Sequence, residues 1–276
     1  PQARRWYQAL GPGLITACVV IGPGSILTSS KVGASQGYGM SWVVIAAVVF
    51  MMTFTMMASR LGVVAKESPG KMLTDSAGRW LAVLIGLSVF FIASAFQFGN
   101  NLGVHTAFNA YIKFDYIVII FNAAAIAFLF LFKNLYKALE KLMMGFVGLM
   151  LLAFAANLIF AKPDLIEWGK GFVPGGQTKV DITVLGLVGT TFVIAAAYFQ
   201  IYLVRQKGIE RDDLRASLVD SRVGACLMAL ITLMIMGTAA SVLRGKELAD
   251  AGEVAKQLEP LFGSWGKGLF CLGLFS

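Results

Sequence analysis

The sequence predicts an all-α membrane protein, on the basis of its composition, the grouping of its charges and the length of its uncharged runs. Of its 276 residues, 58% are hydrophobic and only 14% are charged, whereas about a quarter of the residues in a soluble domain are charged. The 15 acids and 23 bases cluster between long uncharged runs, as in proteins that cross a membrane several times. A soluble fold is excluded because it has too little interior for so much apolar side chain.

Seven runs are predicted to be membrane spans, because a hydrocarbon core of roughly 30 Å takes about 20 apolar residues as a helix. In chain order they are Trp6 to Ser30, Tyr38 to Ser59, Trp80 to Ile112, Tyr116 to Phe132, Leu142 to Ala161, Ile182 to Val204 and Val223 to Leu243. The third includes an outer loop around Asn109, and the fourth is short enough to stand nearly upright. An eighth run begins at Gly268 and stops at Ser276, so we expect an incomplete copy that ends inside a helix.

The connectors between the runs predict the orientation, because cytoplasmic loops are enriched in Lys and Arg. With the N-terminus inside, fourteen of these residues lie on the inner side and nine on the outer side. We therefore predict an integral plasma (inner) membrane protein with a cytoplasmic N-terminus. The connectors 162 to 181 and 244 to 267 are expected to be loops or amphipathic surface segments.

Other classes of protein are not indicated. The net charge of +8 comes from bases in short connectors, without the basic stripe and interleaved aromatics of a nucleic-acid surface. Cys18, Cys226 and Cys271 lie in apolar runs without CxxC spacing, so they are expected to be small buried hydrophobes. With a single histidine and no nucleophile, acid pair or metal cluster, the chain is not expected to be an enzyme.

The first span contains a helix breaker near its centre. Gly22, Pro23 and Gly24 follow an apolar run and precede the polar stretch Ser25 to Ser30. Glycine tolerates unusual backbone angles and proline lacks an amide donor, so unwinding here would turn carbonyls inward. Discontinuous helices form the ion sites of many secondary transporters. The alternative is a simple proline kink.

The third span carries a polar cluster of Gln97, Asn100, Asn101 and His105. Residues four apart share a helical face, so this cluster is a candidate lining of an aqueous path. Hydrogen bonding between helices explains the cluster equally well, and it is the preferred explanation for Asn122 and Asn157.

The sixth span has no Pro or Gly next to Ala197, Tyr198, Phe199 and Gln200, so an unbroken helix is expected there. Intramembrane carboxylates are the usual proton relays of coupled transporters, and none of the 15 acids is predicted to lie deep in a span. Asp220 comes nearest, and it is expected to pair with Arg222 at the inner interface.

These residues resemble a known family. The stretches Gly11-Pro-Gly-Leu-Ile and Ile21-Gly-Pro-Gly-Ser25 through Gly33 resemble the first helix of the NRAMP divalent-metal transporters, whose signature there is Asp-Pro-Gly-Asn. Similar stretches are Ser59 to Lys66 after the second helix, Ala161 to Asp164 after the fifth, and the run at 268–274 in the eighth.

The resemblance implies a LeuT-type inverted-repeat transporter fold with seven complete spans and the start of an eighth. Residues 1-276 would form a single transmembrane transporter domain. Within it, 1-161 would be the first five-helix repeat and 182-276 an incomplete second repeat, with the ion held between broken helices one and six.

The departures from the family pattern fall on its key residues. Gly22 stands where the family has a metal-binding aspartate, and Ser25 where it has asparagine. An ungapped match places Ala197 to Gln200 over Met-Pro-His-Asn, and Ile194 over the residue whose carbonyl helps to bind metal. In the third helix, Gln97 and Asn100 replace the two acidic residues of the proton path.

These replacements are similar to those of the NRAMP-related magnesium transporters. Losing the soft thioether at Ala197 removes a preference for transition metals, and carbonyls, hydroxyls and amides suit an ion that keeps its water. The resemblance thus implies uptake of hydrated Mg2+ (also Mn2+) by alternating access without proton coupling, with no cofactor. The expected path is lined by Gly22, Ser25, Gln97, Asn100, Ile194, Ala197, Tyr198 and Gln200, at a helix break formed by Pro23 and Gly24.

Two alternatives remain open. One is a proton-coupled Mn2+/Fe2+ transporter of NRAMP type whose ligands lie elsewhere. The other is an NRAMP-like membrane signalling or scaffold module that does not transport. The expected partners are a divalent metal ion and the lipid bilayer, with no nucleic acid, and the protein is expected to be a monomer.

Overall fold

The computed structural model describes residues 11–65, 67–109, 111–114, 116–131, 135–175 and 181–248. Every regular element in these ranges is helical, in agreement with the predicted all-α class. The helices are α1 Pro12–Val20, α2 Pro23–Gln36, α3 Ser41–Val64, α4 Pro69–Ala77, α5 Arg79–Asn109, α6 Ile117–Leu131, α7 Leu135–Ala161, α8 Leu165–Lys170, α9 Ile182–Thr191, α10 Ile194–Gln206 and α11 Leu214–Val242, with a 3-10 turn at Arg211–Asp213.

Five stretches of the described residues are long and apolar enough to cross a membrane, and a sixth qualifies when α1 and α2 are taken as one bent span. The predicted fourth span corresponds to α6, which has only 15 residues. The predicted eighth run, the cysteine Cys271 and the first residues of the first span lie outside the described residues. The chain is therefore a membrane protein with several apolar helices.

Two short helices occupy connectors. α4 begins at Pro69 after Ser68, whose hydroxyl accepts a hydrogen bond from the Lys71 amide, which is a common N-cap arrangement. α8 begins after Asp164, whose carboxylate accepts from the amides of Ile166 and Glu167. α8 lies in the connector 162 to 181, where a loop or amphipathic surface segment was predicted, and α4 lies in the connector between the second and third predicted spans.

The last described helix, α11, lies at the centre of the bundle and packs against α1, α2, α3 and α7. Small residues bring it close to the first span, as is usual for helices in a membrane. A Cβ at Gly33 would clash with the Met236 carbonyl, and a Cβ at Gly224 would clash with the backbone of Gly13. Glycine at these positions thus fixes α1 and α2 directly against α11.

The end of the bundle that holds α8 is closed by aromatic packing. The Trp168 ring stacks on Tyr38 with centroids 5.8 Å apart, and its indole N–H donates to the Ser41 hydroxyl at 3.1 Å. Arg244 pairs with Glu167 at 2.8 Å. These contacts tie α8 to the start of α3 and the end of α11. By the predicted orientation this is the outer end.

Candidate ion site at two helix breaks

The first span is broken at the Gly-Pro-Gly sequence. α1 ends at Val20, α2 begins at Pro23, and the two axes differ in direction by 59°. Proline has no amide hydrogen to continue the helical ladder, and the Gly22 amide turns back to the Val20 carbonyl at 3.0 Å. The bend far exceeds a mild kink and leaves the backbone around Ile21 and Gly22 outside either helix.

The sixth span is also interrupted, as the family resemblance implied and contrary to the unbroken helix expected from its residues. α9 ends at Thr191 and α10 begins at Ile194, and Phe192 and Val193 between them have ψ angles of 83° and 98°. β-branched and aromatic residues have weaker helix propensity than Ala or Leu. The Phe192 ring also packs edge-on against Phe54 of α3, with centroids 5.1 Å apart. Weak helix propensity and the contact with Phe54 thus interrupt this span without a Pro or Gly at the break.

Hydroxyl groups join the two breaks. The Ser25 hydroxyl lies 2.7 Å from the Val20 carbonyl and 3.2 Å from the Thr190 carbonyl. The Thr28 and Thr190 hydroxyls are 3.1 Å apart. Carbonyls of both interrupted spans therefore meet around Ser25. Thr190 was not among the predicted site residues. Its place just before Phe192 and Val193, which have weak helix propensity, could have indicated it.

Helix α5 brings Asn100 to the first break. A Cβ built on Gly22 would lie 2.8 Å from the Asn100 side-chain oxygen, so this amide fills the space in front of Gly22. One turn along α5, Gly103 packs against the Pro23 ring so tightly that a Cβ there would clash with it. Gly22, Ser25 and Asn100, three of the predicted residues, are thus brought together with Pro23.

Gln97 lies apart from this group, because its amide is directed at α6. Its nitrogen donates to the Asn101 oxygen at 3.2 Å and to the Asn122 oxygen at 3.0 Å. The Asn122 amide donates in turn to Asn101 at 2.9 Å. This arrangement is the hydrogen bonding between helices that was the alternative explanation of the polar cluster.

Gln200 also lies away from Ser25, in a fully buried polar cluster. Its oxygen accepts from the Thr16 hydroxyl of α1, and its nitrogen donates to the Ser59 hydroxyl of α3 at 3.1 Å and lies 3.4 Å from that of Ser221 of α11. It thus ties α10 to three other helices. A void of about 10 Å³ beside it, lined in part by Thr16, Thr55 and Ser221, is close to the volume that holds one water molecule.

The side chains of Ile194, Ala197 and Tyr198 point to a different place. They line an apolar cleft of about 640 Å³ between α10 and α3. Ile194 is 54% exposed there, while Ala197 is buried at 4%. Ile194 was predicted through its backbone carbonyl, so its side-chain direction does not bear on that role.

Asp220 differs from its predicted role as a partner of Arg222 at the interface. It is fully buried, and its two oxygens accept hydrogen bonds from the Gly11 amide at 3.0 Å and the Gly13 amide at 2.6 Å. The first amides of α1 have no partner within the helix and carry partial positive charge, so they bind the carboxylate. Spacing in sequence gave no sign of this contact between α11 and α1.

The groups that meet at the breaks are neutral oxygen donors. No group of three or more His, Cys, Asp or Glu side chains lies together among the residues that the structure describes. Carbonyl, hydroxyl and amide oxygens are the ligands that hard cations accept. The arrangement therefore suits a cation that retains water better than one that needs soft or charged ligands.

Comparisons with known proteins agree with this architecture. Residues 13–276 match the family model described as natural resistance-associated macrophage protein-like. A divalent metal cation transporter MntH of Deinococcus radiodurans is 25% identical over 286 residues, which cover 99% of this chain and 65% of that protein. The MntH of Pectobacterium carotovorum is 24% identical over 274 residues, which cover 96% of this chain and 66% of that protein.

Solved structures give the same fold. A manganese transporter of Eremococcus coleocola, solved as single-residue variants, superimposes with a TM-score of 0.87 at 18% identity, covering 100% of this chain and 63% of that one. Its complex with an aromatic bis-isothiourea substituted compound superimposes with a TM-score of 0.84 at 17% identity. The chain spans just under two thirds of the length of the proteins that it matches.

Proposed function

Because this chain belongs to the natural resistance-associated macrophage protein-like family, we propose that it is a membrane transporter of divalent metal cations, and specifically that it takes up hydrated Mg2+, and also Mn2+, by alternating access without proton coupling. The matched relatives are named as metal transporters and not as enzymes. The fold, with two interrupted spans meeting inside the bundle, is the kind in which transporters place their ion sites.

The observation that carries the proposal is the pairing of Gly22 with Asn100. An amide oxygen occupies the space in front of a glycine, so the first break offers dipoles and no fixed negative charge. Mg2+ gives up its water reluctantly and usually keeps several waters when bound. A neutral site can hold such an ion through its water shell, whereas a dehydrated divalent ion would need carboxylates.

The side chains near the second break support the same ion class. Ala197 occupies the position at which the resemblance places a methionine, and alanine has no sulfur to favour soft metals. Ser25 contributes a hydroxyl close to carbonyls of both spans. These are hard oxygen donors, as Mg2+ and Mn2+ prefer.

The absence of proton coupling is supported by the groups that α5 presents. Asn100 and Gln97 are amides and do not titrate. Two carboxylates within α7 and α11 are already engaged, since Glu140 pairs with Lys207 at 2.5 Å and Asp220 accepts two backbone amides. The partners of Asp220 are at the start of α1 and that of Glu140 follows α10, so both carboxylates are engaged away from Gly22 and Ser25.

A proton-coupled Mn2+/Fe2+ transporter is the second candidate, because the matched structures are manganese transporters by name and because Asp220 is buried within a span. A signalling or scaffold module of the same fold is the third. The three candidate functions belong to the same family. They differ in whether an ion crosses the membrane and, if so, which ions do.

Flux measurements separate the three. Full-length protein is reconstituted in liposomes that contain a magnesium-sensitive dye and a pH dye, and Mg2+ or Mn2+ is added outside. We expect Mg2+ entry without acidification. Acidification that follows Mn2+ entry would favour the second candidate, and no divalent flux under any gradient would rule out transport.

A matched pair of variants ties the flux to the site. Gly22→Leu places a side chain against Asn100 and is expected to abolish Mg2+ entry. Gly86→Leu on α5 adds the same side chain where a Cβ meets nothing within 4 Å, so entry is expected to continue. Equal loss in both variants would contradict a site at Gly22.

A further inference from the structure

Two threonine hydroxyls face each other across the two interrupted spans, about one helical turn from Ser25. The Thr28 hydroxyl of α2 lies 3.1 Å from the Thr190 hydroxyl of α9. The methyl group of Thr28 packs on Gly186, where a Cβ would come within 3.3 Å of it. Glycine at this position therefore lets α2 and α9 approach, and the methyl contact turns the Thr28 hydroxyl toward Thr190.

Each of these hydroxyls also has an acceptor in its own helix. Thr28 lies 2.9 Å from the Gly24 carbonyl, and Thr190 lies 2.9 Å from the Gly186 carbonyl. A hydroxyl has one hydrogen and two lone pairs. When both hydrogens are directed at the helix carbonyls, the two threonine oxygens present lone pairs to each other at 3.1 Å.

Ser25 adds to this excess of acceptors. Its single hydrogen lies between the Val20 carbonyl at 2.7 Å and the Thr190 carbonyl at 3.2 Å. The hydroxyl hydrogens of Ser25, Thr28 and Thr190 are thus outnumbered by the oxygens within 3.2 Å of them. Such a group favours a ligand that donates hydrogen bonds over one that brings further lone pairs.

Space for such a ligand adjoins the pair. A Cβ at Gly24 would meet nothing within 4 Å. Residues four apart lie on one face of a helix, so this open space lies next to Thr28. Thr28 and Thr190 are both only half-buried, so a ligand in that space can reach their oxygens.

We propose that Thr28 and Thr190 bind the transported cation through its water, each accepting a hydrogen bond from a water molecule that the ion holds. A cation polarises its water, which makes such a hydrogen bond charge-assisted and strong. This inference rests on the proposed function, because it takes the ion to be hydrated. It adds two residues that recognise the water shell and not the metal itself.

Direct coordination of a bare ion by the two hydroxyls is the alternative. It is disfavoured because the hydroxyls of Thr28, Thr190 and Ser25 contact neutral oxygens, whereas sites for dehydrated divalent cations use carboxylates. The two modes of binding differ in one testable respect, since only a bare ion must exchange its ligands to bind.

Hexaamminecobalt(III) distinguishes the two modes, because its ammonia ligands donate hydrogen bonds as the waters of Mg2+ do but do not exchange. The full-length protein in detergent is titrated with this complex and with Mg2+ by calorimetry. We expect both to bind, and Thr190→Val, which keeps the shape without the hydroxyl, is expected to weaken both about tenfold. Thr190→Ser keeps the hydroxyl and is expected to retain binding. Binding of Mg2+ without any binding of the complex would overturn the proposal.

Two further variants complete the test. Thr28→Val is expected to give the same loss, and it decides the matter if Thr190→Val does not fold. Thr53→Val is the matched control, because the exposed Thr53 hydroxyl of α3 donates to the Val49 carbonyl of its own helix at 2.8 Å, and its loss is expected to change nothing. An equal loss in Thr53→Val, or unchanged binding in both other valine variants, contradicts the proposal.

The liposome flux assay separates this inference from the proposed function. Mg2+ entry into liposomes, together with unchanged binding in Thr28→Val and Thr190→Val, would remove the threonine site and leave transport in place. Weakened binding in these variants without Mg2+ entry in the unmodified protein would support the site and contradict transport.

Discussion

The carboxylate of Asp220 accepts a hydrogen bond of 2.6 Å from the backbone amide of Gly13. Its second oxygen accepts from the Gly11 amide at 3.0 Å, so a side chain of α11 caps the N-terminus of α1. The same helices touch through their backbones, since a Cβ at Gly13 would clash with Asp220. The half-helix before the first break is thus held at its N-terminus by one buried charge.

Replacing this charge is expected to destabilise the protein. Asp220→Asn keeps one acceptor and turns a donor toward an amide, so one of two charge-assisted hydrogen bonds is lost. Hydrogen bonds to charged groups contribute about 1.5–3 kcal/mol each, and we expect the free energy of unfolding to fall by about 2 kcal/mol. Thermal unfolding in detergent measures this change.

The matched control for that variant is Asp75→Asn. Asp75 is exposed in α4, so its replacement is expected to leave the melting temperature unchanged. An equal loss of stability in the two variants would show that the Asp220 cap does not stabilise α1.

Adding a carboxylate at the first break is expected to change metal binding. Gly22→Asp places a charged oxygen against the Asn100 amide, and a fixed charge strengthens the attraction for Mn2+ by several kcal/mol at low effective dielectric. We expect Mn2+ affinity to rise at least tenfold, as measured by titration calorimetry. Gly22→Asn has the same shape without the charge, and an equal gain with this variant would contradict the electrostatic explanation.

Enlarging Ala197 is expected to reduce Mg2+ flux. Ala197 lies in the first turn after the second break and lines the cleft between α10 and α3, so Ala197→Met adds a longer side chain there and narrows the cleft beside this half-helix. The liposome assay with the magnesium-sensitive dye measures the flux. Leu230→Met on α11 is the control, because this residue is 49% exposed. Unchanged flux in Ala197→Met would count against the placement of Ala197 on the ion path.

Removing the Gln200 amide is expected to loosen the contact of α10 with α1, α3 and α11. Gln200→Leu removes the acceptor of the Thr16 hydroxyl, whereas the Ser59 hydroxyl keeps its contact with Ser221 at 2.9 Å, and a buried unsatisfied group costs about 1–3 kcal/mol. We expect a lower melting temperature and partial recovery in Gln200→Glu, which can still accept from Thr16. A melting temperature equal to that of the unmodified protein would show that the cluster is not structural.

The sequence predicted the helices well because long apolar runs have few other solutions in a membrane. It also located the first break, since Gly22 and Pro23 interrupt a helix by covalent structure alone. The second break was implied by the family resemblance and not predicted from the residues themselves. Phe192 and Val193 leave the helix through weak propensity together with packing on Phe54, and that packing is a tertiary contact invisible in sequence.

The site residues divide in the same way. Gly22, Ser25 and Asn100 come together, and the family resemblance had already assigned them to one site. Gln97 and Gln200 do not join this group, because each side chain instead makes hydrogen bonds between helices. The partners of Asp220 could not be predicted from the sequence. They lie 207 and 209 residues away, and they are backbone amides, which every residue except proline has.

The glycine at the first break has an electrical consequence under the proposed function. With no fixed charge at residue 22 to cancel the ion, a loaded site carries two positive charges through the transport step, and the same site is neutral when it returns empty. A membrane voltage of 100 mV, negative inside, favours entry by about 2.3 kcal/mol per charge, or about 4.6 kcal/mol for a divalent ion. That voltage alone would sustain a roughly 2,000-fold accumulation, so a transporter of this kind would need no second ion to drive it.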